Sequence, residues 1–159
     1  MKTLPLLVAT LAAAVLAGCG KKADHDHAGG PARHEHKAPH DGTPVVLGQE
    51  AFHLELVRDA ATGTLTAYVL DGEMENFVRV KAPAFEIVAT VGAERRPLAF
   101  LAVANSATGE TVGDTSQFEA QADWLKATAN FDATLTALEV KGTAFKAVAF
   151  NFPKGNDKD

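Results

Sequence analysis

The chain reads as an all-β protein: an antiparallel β-sandwich of Ig-like or Greek-key type, preferred over a barrel, with seven to eight short strands after a histidine-rich tail. Three observations carry that reading. From Pro44 onward, short β-branched and alternating runs are separated by turn residues at close intervals. No stretch of that region sustains a helical period long enough to predict a long helix. The single cysteine, Cys19, lies far upstream, so the domain has no disulfide and must stand on its packed core.

In chain order, Met1-Lys2-Thr3 opens a charged n-region, and residues 4–16 are apolar apart from Thr10. The run is shorter than the roughly 20 residues that a membrane-spanning helix needs, and small residues follow it. Residues 1–18 therefore read as a signal peptide. Leu16-Ala17-Gly18-Cys19 resembles the lipobox of bacterial lipoproteins, and that resemblance implies acylation of Cys19 as the first mature residue. Gly20 and Lys21 follow, with no Asp directly after the cysteine. By the same resemblance, the protein is expected on the outer membrane, facing the periplasm.

Residues 19–43 read as a lipidated, flexible tether, because Gly29-Gly30-Pro31 and Ala38-Pro39 interrupt regular structure and no apolar period runs through them. Residues 44–153 are the β domain, and 154–159 a disordered polar tail. Within the domain, Pro44–Leu47 is a short edge strand ending at Gly48. Phe52–Arg58 and Thr64–Leu70 form a hairpin about a type I turn closed by Gly63. Pairing Asp59 with Thr64 places Leu54, Leu56, Leu65, Ala67 and Val69 on one apolar face. The opposite face then holds His53, Glu55, Thr66 and Tyr68, a set that suits solvent.

Asp71–Asn76 is an acidic turn, and Phe77–Val80, Phe85–Val91 and Leu98–Val103 are predicted strands, with Gly92–Arg96 as a hairpin loop. Leu98–Val103 is almost wholly apolar and is expected at the centre. Residues 105–115 are loose, Trp124-Leu125 is a strand or a helical turn, and Ala133–Val140 with Thr143–Phe152 closes the domain across Lys141-Gly142.

The strongest chemical signal is in the tail, where five of the six histidines fall between His25 and His40. His25/His27 and His34/His36 are His-x-His pairs, whose rings point the same way on an extended chain. Asp26, Glu35 and Asp41 add carboxylates that bind or orient imidazole. Nitrogen and oxygen donors of this kind suit zinc or copper(II) first, with nickel or cobalt next. Without thiolate, and with two methionines, the chain is a poor match to copper(I). Fixing ten flexible residues costs about 10–20 kcal/mol, whereas zinc in a small structural site returns roughly 10–16 kcal/mol. The tail alone should bind loosely, unless the domain supplies preset ligands. The candidates there are His53 with Glu55 on one strand face, His40 just upstream, and Glu73 in the acidic turn.

His34-x-His36-x-x-x-His40-Asp41-Gly42, followed by Leu47-Gly48 and then by Glu55 through Asp71, resembles a His-rich segment of certain periplasmic proteins. These are the adaptor (membrane-fusion) subunits of heavy-metal efflux pumps and small lipoproteins related to that segment. The likeness runs from about His34 to Asp71. The chain departs from the pattern at Asp41, where a second glycine is usual, and at Glu73, where a histidine would follow the turn. It also lacks the long helical hairpin and further barrel domains of an adaptor. The resemblance implies an accessory role in metal efflux.

The function expected from these features is a membrane-tethered periplasmic binder of divalent transition metals, acting as buffer or carrier. The alternative is a β-sandwich interaction module whose tail is a spacer or a pH-responsive linker. A net charge of −5 argues against nucleic acid as partner. No catalytic residues are assigned and no enzyme is expected. There is no nucleophile elbow or phosphate loop, and catalytic zinc needs three rigid ligands where only His53 lies on a predicted strand.

Overall fold

The computed structural model describes residues 37–157. The expectations for the signal peptide, for Cys19 and for His25, His27, His34 and His36 lie outside the described residues. The elements are β1 (Thr43–Leu47), β2 (Phe52–Asp59), β3 (Thr64–Asp71), β4 (Ala84–Val91), β5 (Glu94–Ala102), β6 (Gln117–Gln121), α1 (Trp124–Ala127), β7 (Phe131–Val140) and β8 (Thr143–Phe152).

The β2–β3 hairpin has the register that the apolar pattern requires, with Asp59 opposite Thr64. Its turn is built by Asp59, whose Oδ1 accepts from the Ala61 amide at 2.8 Å, while the Gly63 amide returns to the Asp59 carbonyl at 2.9 Å. Gly63 has φ +74°, and a Cβ there would lie 2.7 Å from the Ala122 carbonyl oxygen, so glycine is required twice over. The β7–β8 turn needs positive φ at both central residues, and Lys141 and Gly142 adopt 51° and 82°.

All eight strands belong to one antiparallel sheet in the order β1-β2-β3-β6-β5-β4-β7-β8, curled into a nearly closed, barrel-like form. The antiparallel sense holds and eight strands fall within the expected seven to eight, but β6 (Gln117–Gln121) is not among those expected from sequence and Phe77–Val80 is not a strand. Two stacked Ig-like sheets are not what the strand order gives, because the ladder runs unbroken from β1 to β8. One side of each strand fills the interior. Phe85 stacks on Phe100 at 4.8 Å with Phe118 edge-on at 5.1 Å, and Phe131 stacks on Phe152 beside the edge of Trp124.

Three local expectations are corrected. Leu98–Val103 does lie in a central strand, but β5 buries only Leu98 and Phe100 on one face, leaving Leu101 61% exposed. β5 also begins at Glu94, because Val91 pairs with Glu94 and shortens the loop to Gly92-Ala93. Phe77–Val80 forms two isolated bridges, to Leu70 and Thr115, in place of a strand. The segment changes partner after each contact, from β3 to the stretch preceding β6, so no ladder develops. Of the Trp124-Leu125 alternatives, the helical turn is found. Arg58 caps its last carbonyls, with Nε donating to Leu125 at 2.6 Å.

Residues 154–157, read from sequence as the start of a disordered polar tail, instead lie against the β1 end of the sheet. The Val46 amide donates to Asn156 Oδ1 at 2.7 Å, and Asn156 Nδ2 donates back to the Val46 carbonyl at 3.1 Å.

Phe118 is fully buried where two other rings meet. Phe118→Ala should lower unfolding free energy by about 3–5 kcal/mol, as read by urea denaturation.

Candidate functional site

Alternation along β2 puts His53 and Glu55 on the side of the sheet away from the main core, and from sequence that side belongs to solvent. It does not: His53 is 1% exposed and Glu55 is 0% exposed. Residues 37–43 and the 71–76 turn fold over this face, and Ala38, Leu70 and Met74 make a second, small apolar cluster there.

Glu55 holds the covering segment down. Its Oε1 accepts the backbone amides of His40 at 2.6 Å and Gly42 at 3.0 Å, and its Oε2 accepts His40 Nδ1–H at 2.8 Å. The loop must come close for this. A Cβ on Gly42 would lie 2.7 Å from Glu55 Cγ and 2.8 Å from the Leu56 carbonyl oxygen. Asp41 takes φ 53°, a left-handed conformation that glycine, Asn and Asp tolerate best.

The His40 ring lies flat on Tyr68, centroids 4.0 Å apart and planes 15° apart, with Phe77 at 5.9 Å. Burial, then the charges of Glu55 and Glu119, push the Tyr68 phenol above its ordinary range. An acceptor-only carboxylate fixes a proton on His40 Nδ1, so in the neutral ring the lone pair is on Nε2. Among the described residues, no hydrogen bond engages Nε2. An imidazole oriented by a carboxylate on one nitrogen and open at the other is the usual form of a metal-ligating histidine.

His40 also borders a groove of about 370 Å³, lined by Tyr68, Phe77, Arg79, Glu110 and Gln117 among others. Its far wall is a closed polar network. Glu110 Oε1 accepts the Ser116 amide at 2.8 Å and its hydroxyl at 2.7 Å, and Oε2 accepts the Thr108 hydroxyl at 2.7 Å. The Arg79 guanidinium donates to the Thr108 carbonyl and pairs with Asp114 at 3.4 Å. Burial raises the Glu110 carboxyl, but Ser116, Thr108 and Arg79 outweigh it and hold it below the ordinary range.

The sequence candidates therefore separate. His40 and Glu55 come together, but all of Glu55's contacts make it an orienting acceptor and not a free ligand. His53 Nδ1–H donates to the Asp71 carbonyl at 3.3 Å inside the packed face. Glu73 is exposed on the 71–76 turn. Asp71 organises that turn by accepting the Asn76 side chain at 2.7 Å and the Glu75 amide at 3.0 Å. The Asn76 contact foremost, against an opposing effect of burial, lowers its carboxyl. Among the described residues, no three His, Cys, Asp or Glu side chains converge as a metal site. The set His40, His53, Glu55 and Glu73 is thus not a closed ligand shell. Tyr68 and Phe77 were not singled out from sequence, although the correct register already placed Tyr68 opposite Glu55.

No family model matches the chain, and neither does any curated protein or solved structure.

The lowered Glu110 carboxyl means that the fold favours its ionised form. That stabilisation is present above the ordinary glutamate range and is lost as pH falls below about 4. The protection factor of the Ser116 amide, its exchange relative to the intrinsic rate at each pH, should fall in that window, and Glu110→Gln should flatten that pH dependence.

Proposed function

We propose that this chain is a lipid-tethered periplasmic protein that binds divalent transition metal, zinc or copper(II) before nickel or cobalt, and buffers or passes it on. The reading extends to acylation at Cys19, a place on the outer membrane and an accessory role to a heavy-metal efflux system. The observation that carries it is the His40 imidazole, held by buried Glu55 and stacked on Tyr68 with Nε2 open.

In this reading the domain contributes one preset nitrogen, and the histidine run supplies the others. His36 and His34 lie four and six residues before His40. Holding His34 through Lys37 in one conformation costs about 4–8 kcal/mol, by the scale of roughly 1–2 kcal/mol per residue. That is well below the roughly 10–16 kcal/mol a structural zinc site returns. With His40 already fixed, the balance moves from loose capture toward a defined site. His25 and His27 then serve as outlying donors that raise the local concentration of imidazole.

Competition titrations with zinc and copper(II), using the mature chain with residues 20–36 present and deleted, test this. His40→Ala should weaken the tightest site by at least about tenfold, and Glu55→Gln by about 10–100-fold. Tyr68 is the only tyrosine, so in a Trp124→Phe background copper(II) should quench its emission. Equal affinity in His40→Ala and the parent would leave a β-domain interaction module with a spacer.

A further inference from the structure

The seam of the sheet carries an inference independent of metal. β1 and β8 are its two ends, and since every neighbouring pair is antiparallel, they run in opposite senses and either can extend the other. Between them lies the 153–157 turn. Val46 directs its N–H and C=O toward the seam, and the Asn156 carboxamide takes both, at 2.7 and 3.1 Å. The side chain reproduces the donor–acceptor pair of a strand residue.

Two residues away, Pro44 has no N–H to offer, and its carbonyl sits so close to Gly155 that a Cβ there would collide with it. The Thr43 hydroxyl donates to the Pro153 carbonyl at 3.2 Å. The turn is pinned to β8 by paired hydrogen bonds between Asn151 and Gly155, at 2.9 and 2.7 Å. Open strand edges recruit other strands. Here the chain's own segment occupies the Val46 position.

We propose that residues 153–157 cap the β1 edge against a second copy of this chain. With the cap displaced, β1 of one copy pairs with β8 of the other, reciprocally, in a closed two-fold dimer. A second copy is the occupant the fold favours, because it brings both complementary edges in antiparallel sense and satisfies both seams at once.

The test uses the chain from residue 19 onward with Cys19→Ser, so that no lipid drives association. Sedimentation over a wide concentration range is combined with amide exchange at Val46. The parent should be monomeric with a protected Val46 amide. Asn156→Ala should exchange there about tenfold faster when dilute, and dimerise when concentrated, with Val46 protection restored. A variant that stays monomeric throughout overturns the proposal whatever its stability, as does association that leaves Val46 unprotected. If Asn156→Ala does not fold, Asn156→Asp keeps the acceptor for the Val46 amide, loses the donor to its carbonyl, and is judged by the same two outcomes.

Discussion

A carboxylate shut away from water must be surrounded by donors, since an unpaired buried charge costs several kcal/mol. Glu55 meets that demand with the segment just before β1: two backbone amides and one imidazole, all from His40 to Gly42. The same three contacts cover the outer face of β2, orient the His40 ring and lay it on Tyr68. Remove the charge and the reason for the loop to be there goes with it. The candidate site is thus a by-product of satisfying one buried side chain on a strand.

That arrangement gives the domain two kinds of interior. Inside the curled sheet, packing is apolar and aromatic, and the rings of Phe85, Phe100 and Phe118 meet with no polar partner needed. On the outside, burial is achieved piecemeal by short segments, each fastened by one polar side chain. Glu55 fastens residues 38–42, Asp71 fastens its own turn, Glu110 with Arg79 fastens the stretch before β6, and Asn156 fastens the seam. Hydrogen-bonded clasps of this sort are directional, so they fix where a segment sits more tightly than apolar contact alone.

For metal chemistry, the contrast between the tail and the domain matters most. The tail carries many imidazoles that nothing in its own composition orders. The domain holds two imidazoles oriented by acceptors, His40 by Glu55 and the buried His53 by the Asp71 carbonyl. Under the proposed function, His36 and His34 stand four and six residues before the oriented His40 in sequence, a spacing that would suit an ion that is caught and also released.

The hairpin register, the inward face of β2 and β3 and the antiparallel all-β class were legible in the residues, because alternation and turn chemistry act over a few neighbours. The histidine run was visible in the sequence as composition, and its metal chemistry belongs to the proposed function. Whether the strands close into one curled sheet was not, because closure depends on how β3 meets β6 and β4 meets β7, pairings between strands distant in sequence. Nor was the burial of His53 and Glu55. Alternation divides a strand into two faces, but it does not say that a second segment will cover the polar one. The tertiary structure alone decided that, by bringing residues 37–43 and 71–76 across β2, and it did so because a charge out of water has to find its donors wherever the chain can deliver them.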